Sequence, residues 1–368
     1  MKKLFLPAFP LLVFAFANAQ LTSLPSGGNK KATVTERIGI TDVTISYSRP
    51  HVNGREGKIW GQLVPTGFID QGFGTAKAAP WRAGANENTT IEFSGPVKIE
   101  GQNLPAGKYG FFIAYDPAEP TIIFSKNHDS WGSYYYDAKE DALRVKIKPV
   151  ALDKSVEWLK YEFMDQTENT ATIALEWEKL SFPFKVEVDY INSQIESFRK
   201  ELRTDKGFFW NTWDQAANWC VQRNVNLEEA LLWSDSATSI NFGGDKSFQA
   251  FSTKAQVLEK LGRSTEAAEI MKKSFAFASV NEIHQYGRQL LAQKKNKEAL
   301  DVFKNNFAKN PNQFTTLMGL TRGYSANGDY KNALKYATQA LPLAPDDLNK
   351  KNLQGMIDKL KAGKDANQ

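Results

Sequence analysis

The stretch Thr321–Pro345, with the sequence TRGYSANGDYKNALKYATQALPLAP, carries the signals of a pair of helices. Gly328 lies five positions before a small residue, Ala333, and Pro345 follows that alanine by twelve positions. Glycine can close the turn between two helices, and proline cannot continue a helix that has reached it. The small side chain lets the paired helices approach closely. The stretch therefore predicts two helices joined by a tight turn.

The same pattern occurs at three places upstream. The small residue recurs at intervals of 37, 32 and 34 residues, as Ala230, Ala267, Ala299 and Ala333. Nine positions before each alanine lies a large apolar or aromatic residue: Val221, Leu258, Leu290 and Tyr324. Twelve positions before each alanine lies a residue that is small in most units: Asn218, Ala255, Gly287 and Thr321. A shared period across four units predicts a tandem array of helix pairs.

These positions and the 34-residue interval resemble the tetratricopeptide repeat, over residues 213–345. The resemblance implies that a protein or peptide partner binds as an extended or helical segment in the concave face of the array. Asn218, Arg288 and Arg322 are the candidate partner-binding residues. We expect a connecting helix over residues 191–212. Residues 346–368 are predicted to form a capping helix followed, from Lys361, by a frayed tail.

Before the array, the apolar residues recur with a different period. Between Lys31 and Asp189 apolar residues alternate with polar ones, as at Val43, Ile45 and Tyr47. Alternation indicates strands with one buried and one solvated face, and the intervening Gly and Pro residues indicate turns. Residues 31–190 are therefore predicted to form an antiparallel all-β sandwich. The predicted fold class is a multidomain chain, with this sandwich followed by all-α tetratricopeptide-like repeats.

Several motifs in the β half can be compared with known families. They are TISYSRP at 44–50, WGQLVP at 60–65, WRAGANE at 81–87, LPAG at 104–107, WG at 131–132 and the pattern D-x-LRV at 141–145. Together they resemble an exported bacterial family known only as a domain of unknown function, often joined to tetratricopeptide repeats. The resemblance covers about residues 31–190 and implies a β-rich fold and export, with no assigned activity. The segment Phe68–Ala79 is longer than this family leads us to expect.

The densest group of polar residues in the β half lies in and around these motifs. Its members, the candidate ligand-binding residues, are Arg49, Arg55, Trp60, Trp81, Arg82, Asn86 and Glu87. Arginine, amide and carboxylate groups beside aromatic faces suit a carbohydrate or a carboxylate ligand. The alternative is structural: Arg82 and Glu87 form an ion pair that holds a loop, and both tryptophans belong to the core.

The residues favour binding over catalysis. The sequence has no G-x-S-x-G motif, and its single cysteine, Cys220, lies in the helical half, where we expect a small buried group. His51, His128 and His284 do not have the spacing of metal ligands, so no metal and no cofactor are predicted. The alternative function is a hydrolase or a carbohydrate-binding protein that acts on glycans or the cell envelope, with Glu87 as acid or base in the hydrolase.

The first 19 residues predict export. Lys2 and Lys3 precede the apolar run 4–17, and Ala17-Asn18-Ala19 fits the small-x-small pattern of a cleavage site. The run is shorter than the roughly 20 apolar residues of a membrane span. We therefore expect a signal peptide over residues 1–19, a flexible segment over 20–30 and a periplasmic or secreted protein. No membrane span is predicted after cleavage.

Charge is distributed unevenly along the chain. The whole sequence carries a formal net charge of +5. Residues 20–190 hold 19 basic and 22 acidic residues, whereas residues 191–368 hold 25 basic and 19 acidic ones. A helical half with this mild positive charge does not indicate nucleic-acid binding. The opposite charges leave two possibilities, a groove that is open to a partner or an array that packs against the β half.

Overall fold

The computed structural model describes residues 28–368. The predicted signal peptide, residues 1–19, and the first eight residues of the predicted flexible segment lie outside the described residues. The chain divides into two compact units, the first ending at Glu196 and the second beginning at Ser197. Antiparallel strands precede a series of helices, which confirms the predicted fold class.

The described part of the first unit contains two antiparallel sheets. Strands β1, β2, β3, β6, β7 and β8 form the first sheet in that order, and β5, β4, β10 and β9 form the second. The strands are β1 Lys30–Ile38, β2 Thr41–Arg49, β3 Thr89–Phe93, β4 Val97–Ile99, β5 Gln102–Leu104, β6 Gly107–Ala114, β7 Thr121–Ser125, β8 Asp141–Lys146, β9 Val150–Met164 and β10 Thr170–Val188.

The two sheets enclose one aromatic core. Along β2 the residues Val43 and Ile45 are fully buried, as the alternating pattern predicts. The Phe184 ring of β10 lies 5.6 Å from Phe111 on β6 and 6.1 Å from Phe124 on β7, measured between ring centroids. Burial of such large rings is the main favourable contribution to the folding of this unit.

The long connection between β2 and β3, residues 50–88, is held against both sheets. His51 forms an isolated bridge with Trp158 of β9, and Trp81 forms one with Ile113 of β6. Within the connection, Ala76 and Ala79 pack in a second apolar cluster with residues of β6 and β7. The segment 68–79, longer than expected, thus covers part of the sheet face that points away from the main core.

The second unit consists of helix pairs. The helices are α1 Tyr190–Glu201, which crosses from the first unit, α2 Trp210–Arg223, α3 Leu227–Ala237, α4 Phe248–Lys260, α5 Ser264–Ser274, α6 Val280–Ala292, α7 Asn296–Lys309, α8 Phe314–Ala326, α9 Tyr330–Ala340 and α10 Asp347–Lys361. The connecting helix therefore ends at Glu201, and a 3-10 turn at Asp205–Phe208 precedes α2.

The repeated small residue is buried in every unit. Ala230, Ala267, Ala299 and Ala333 are each exposed by 1% or less. Gly262 and Gly328 occupy the turns before α5 and α9 with φ of +77° and +79°, a conformation that strains other residues. The helix pairs thus approach closely where the sequence repeats its smallest side chains.

The residues after α10 are ordered, so the predicted frayed tail is wrong. Ala366 is buried in the apolar cluster of α8, α9 and α10. The Asp365 carboxylate accepts a hydrogen bond of 2.6 Å from the Ser325 hydroxyl, and the Ala366 N–H donates to the same hydroxyl oxygen at 2.8 Å. Polar contacts to α8 and burial of one methyl group hold the tail against the repeats.

Candidate functional site

The β2–β3 connection lines a cavity of about 500 Å³. Four of the predicted ligand-binding residues line it, namely Arg55, Trp81, Arg82 and Asn86. The other lining residues are Asn29, Pro50, His51, Asn53, Leu63, Val64, Gly84, Ala85 and Trp177. The structure therefore brings together residues of the first three sequence motifs, with Pro50 from the first and Leu63 and Val64 from the second.

Arg82 is held at the cavity by three neighbours. Its Nη1 donates a hydrogen bond of 3.0 Å to the Asn86 carbonyl oxygen, and its guanidinium carbon lies 5.3 Å from the centre of the Tyr134 ring. The absence of a side chain at Gly132 makes room for it, because a Cβ there would come within 2.7 Å of the guanidinium. These contacts fix the cation without neutralising it.

Arg55 is held by its own loop. Its Nε donates to the Val52 carbonyl oxygen at 2.9 Å, and its Nη2 donates to the His51 carbonyl oxygen at 2.6 Å. Within the described residues neither Arg55 nor Arg82 lies within ion-pair distance of a carboxylate. The cavity therefore contains two guanidinium groups whose charge is not balanced by an ion pair.

The tryptophans belong mainly to the core. Trp81 and Trp177 stack with ring centroids 6.0 Å apart, and Trp60 lies edge-on to both. Trp60 does not line the cavity, so it offers no exposed face to a ligand there. Trp177 lines the cavity although its side chain is only 1% exposed, and its buried Nε1–H has no hydrogen-bond partner among the described residues.

Glu87 and Arg49 make structural contacts outside this cavity. The Ser48 hydroxyl donates to the Glu87 carboxylate at 3.0 Å, and Lys31 lies 3.4 Å from it. Arg49 donates to the Leu159 carbonyl oxygen at 2.7 Å. An Arg82–Glu87 ion pair, the structural alternative, does not occur in the described chain, whereas both tryptophans do pack in the core.

The electrostatics of Glu87 do not favour acid catalysis. Burial alone raises its pKa, but hydrogen bonds from its own backbone N–H and from Ser48, together with Lys31, hold the pKa below its usual range. A general acid at neutral pH needs a raised pKa. The observed environment therefore suits a carboxylate that anchors β2 and the loop.

Three residues around the cavity have a left-handed backbone. Asn53, Ala83 and Asn86 have φ of +51°, +48° and +61°. Asparagine tolerates this region, but alanine is strained in it. The buried Ala83 is held there by hydrogen bonds that its carbonyl oxygen accepts from Thr89 Oγ1 at 3.2 Å and from Tyr161 Oη at 2.8 Å. Strained residues of this kind cluster at functional sites.

A second group of polar residues lies on α6 and α8. The predicted residues Arg288 and Arg322 are close enough for Arg288 to lower the pKa of Arg322, although burial is the larger cause. His284 lies one turn before Arg288, and burial with the charges of Arg322 and Arg288 lowers its pKa to about 4. The Thr315 hydroxyl donates to Asn281 Oδ1 at 3.3 Å and links the two helices.

Asn218 does not join this group. It lies half-buried on α2, whereas Arg288 and Arg322 belong to units further along the array. Cys220, also on α2, is fully buried, and burial raises the pKa of its thiol to about 11. A thiol with such a pKa is not a nucleophile at neutral pH.

Sequence reasoning missed several members of both groups. His51 and Trp177 line the cavity, but the sequence marked them only as a scattered histidine and as part of an alternating strand. The spacing of His284 and Arg288, four residues apart on one helix, is a signal that could have identified His284. The sequence also provided no signal for a cavity of about 450 Å³ that is lined mainly by residues of α4, α5 and α6, where Lys295 lies 3.8 Å from Glu259.

Within residues 28–368 no three His, Cys, Asp or Glu side chains are grouped so that they could hold a metal ion. The helices there are all too short or too polar to cross a membrane.

Three solved structures are similar to part of the chain. The crystal structure of YrrB, described as a TPR protein with an unusual peptide-binding site, has 18% sequence identity and a TM-score of 0.28, covering 47% of this chain and 87% of that chain. The MamA RS-1 ArsTM double mutant has 18% identity and a TM-score of 0.29, covering 42% and 88%. MamA from residue 41 to its end, from Desulfovibrio magneticus RS-1, has 18% identity and a TM-score of 0.28, also covering 42% and 88%.

The comparison by sequence is informative for the β half. None of the curated proteins matches the chain. A family model does match, and its bounds, residues 29–186, contain both sheets except for the last two residues of β10. The family resemblance inferred from the motifs is thereby confirmed: residues 29–186 match the family described as Protein of unknown function (DUF2911).

Proposed function

We propose that this chain is an exported, non-catalytic binding protein whose helical repeats hold a carboxylate-bearing segment of a protein or peptide partner on α6 and α8. One observation carries the proposal. Arg288 and Arg322 approach each other on neighbouring helices, and no carboxylate lies within ion-pair distance of either among the described residues. The resemblance to tetratricopeptide repeats and the pattern of residues 1–19 support the binding role and the export, respectively.

Placing Arg288 and Arg322 close together has an energetic cost. Burial, which removes hydration, is the main cause that lowers the pKa of Arg322, and repulsion by the like charge of Arg288 lowers it further. His284, with its pKa of about 4, is neutral at pH 7 and adds no third charge. A bound carboxylate would offset the repulsion, because guanidinium groups form short and often bidentate hydrogen bonds with carboxylates.

The surroundings indicate an extended segment as the occupant. Asn281 and Thr315 each lie about two turns before the arginine on the same helix and present neutral polar groups. Together with the arginines they form a polar strip across α6 and α8. Such a strip can bind the backbone of a peptide through its amide and hydroxyl groups while the arginines bind an acidic side chain.

The test uses two pools of fluorescein-labelled octapeptides that differ only in having Asp and Glu, or Asn and Gln, at the same positions. We expect the acidic pool to raise fluorescence anisotropy on binding and the amide pool not to. Arg288→Gln with Arg322→Gln is expected to weaken binding of the acidic pool about tenfold or more, equivalent to about 1.4 kcal/mol.

The matched control is Lys297→Gln with Lys331→Gln, which makes the same change of net charge at exposed positions of α7 and α9. We expect it to leave the affinity unchanged. An equal loss in both double variants would show that net charge alone attracts the peptides. Failure of the acidic pool to bind the unmodified protein would contradict the proposal outright.

A further inference from the structure

We propose that the cavity of the β-sandwich binds a small organic carboxylate, at a site separate from the helical repeats. The carboxylate would lie between Arg55 and Arg82, and an apolar body would lie against Trp81. This inference does not depend on the proposed peptide binding, because it concerns other residues in the other unit of the chain.

The charge of the lining determines the class of ligand. The ionisable residues that line the cavity are His51, Arg55 and Arg82, with no carboxylate among the described lining residues. Glu157 lies outside the lining, 3.7 Å from the His51 ring, and is the nearest acid to that histidine. The two arginines are left with their charge unbalanced, so the cavity favours an anion.

The hydrogen-bond donors that line the cavity favour a ligand that accepts hydrogen bonds. Arg82 uses only Nη1 in the contact with Asn86, and Arg55 uses Nε and Nη2 in its own loop, so each guanidinium retains donors. The Asn86 side-chain oxygen accepts from Asn29 Nδ2 at 3.2 Å, which leaves its NH2 group as a donor. A carboxylate accepts hydrogen bonds and carries the negative charge that the arginines lack, whereas a neutral sugar does not carry that charge.

Trp177 forms part of the wall of the cavity. Its side chain is only 1% exposed and its Nε1 is buried, so it contributes to the shape of the wall and offers no hydrogen bond to a ligand.

The cavity also has a suitable size and rigidity. Its volume of about 500 Å³ lies in the range of small-molecule sites, roughly 300–1,000 Å³. Val64 and Trp81 supply apolar surface beside the arginines. The strained Ala83 is fixed by two hydrogen bonds, so the loop that carries Arg82 is held in place before any ligand binds.

The experiment compares two pairs of probes that differ only in the acid group, benzoate with benzamide and glucuronate with glucose. Tryptophan fluorescence and calorimetry of the full chain report binding. We expect the acid of at least one pair to bind and its neutral partner not to, at concentrations up to about 10 mM, above the millimolar Kd of a weak site. No binding of either acid, or equal binding of the neutral partners, would overturn the proposal.

Variants locate the site. Arg82→Gln is expected to weaken binding at least tenfold, whereas Lys98→Gln, on the exposed face of β4, should not change it. Asn86→Gly provides a second variant that keeps the left-handed backbone, and we expect it to weaken binding severalfold. Wild-type affinity in both Arg82→Gln and Asn86→Gly would exclude this cavity.

The variant Arg288→Gln with Arg322→Gln separates the two proposals. If it binds benzoate or glucuronate like the unmodified chain while Arg82→Gln does not, the site in the β-sandwich stands even when no acidic peptide binds the repeats. If it loses the small acids instead, the carboxylate site lies on the helices and the inference about the cavity is wrong.

Discussion

At the scale of single residues, His284 shows how neighbouring groups determine whether a side chain is protonated. The ring is 9% exposed, its Nδ1 has no hydrogen-bond partner among the described residues, and two arginines face it from α6 and α8. Each of these features disfavours the protonated form. The residue therefore stays neutral at pH values where an exposed histidine takes up a proton.

This arrangement predicts a specific titration. NMR of the His284 ring, assigned with His284→Gln, should give a pKa of about 4. In the variant Arg288→Gln with Arg322→Gln the pKa should rise but remain below the ordinary value of about 6.5, because burial, the largest cause, is unchanged. The control Lys297→Gln with Lys331→Gln should not move it. A pKa at or above 6.5 in the unmodified protein would show that the ring is not buried beside the arginines.

The lowered pKa of His284 also determines how the stability of the fold changes with pH. The folded-state pKa lies below the unfolded one, so the unfolded chain takes up the proton first as the pH falls. The contribution of His284 is fully present above about pH 6.5 and is lost as the pH falls towards 4. The free energy of unfolding of the wild type minus that of His284→Gln should therefore decrease as the pH falls from about 6.5 towards 4.

At the scale of secondary-structure elements, close helix packing explains the glycines of the array. Phe303 on α7 is almost fully buried and lies against Gly287 of α6 and Gly319 of α8. A Cβ at Gly287 would come within 2.4 Å of the Phe303 ring, and one at Gly319 within 2.6 Å. These glycines let three helices pack around one ring. Gly287 lies at the position twelve residues before the repeated alanine, where the sequence shows only a preference for small side chains.

A pair of equal substitutions tests this packing. Alanine is favoured over glycine within a helix by about 1 kcal/mol, but overpacking a core costs about 1–3 kcal/mol. Gly287→Ala should therefore destabilise the helical unit, whereas Gly355→Ala on α10, where a Cβ meets open space, should stabilise it by up to about 1 kcal/mol. Chemical unfolding followed by circular dichroism measures both. Stabilisation by Gly287→Ala would contradict the close contact with Phe303.

At the scale of the whole molecule, the tail contacts one of the proposed partner-binding residues. Asn367 Nδ2 donates to the Arg322 carbonyl oxygen at 3.0 Å, and Arg322 Nη1 donates to Asn367 Oδ1 at 3.4 Å. The tail reaches α8 from more than 40 positions away in sequence. A segment of the chain thus covers one end of the polar strip formed by Asn281, Arg288, Thr315 and Arg322.

Removal of the tail should therefore change peptide binding. Deletion of Lys364–Gln368 exposes Arg322 and frees the Ser325 hydroxyl, so we expect the affinity for the acidic octapeptides to rise severalfold. Asp365→Ala, which removes the bond to Ser325, should have a smaller effect in the same direction. Gln354→Ala on the exposed face of α10 is the control. Unchanged or weaker binding after the deletion would show that the tail supports the binding surface instead of covering it.

The sequence by itself determined the order of the elements, the two periods, the repeated alanines and the motifs that match the family model. These features are local, since period and turn chemistry depend on neighbours along the chain. It also placed arginines in both candidate sites. It could not show that Arg82 and Glu87 have separate partners, or that Asn218 lies away from Arg288.

Only the tertiary structure decided which side chains meet. Trp177 joins Arg82 because β10 passes beneath the β2–β3 connection, and Asp365 meets Ser325 because the chain turns back after α10. Such contacts depend on strand order and helix packing, which no local pattern encodes. Burial also depends on tertiary structure. It lowers the pKa of His284, leaves the Trp177 N–H without a partner among the described residues and holds the tail, which was expected to be frayed, against the repeats.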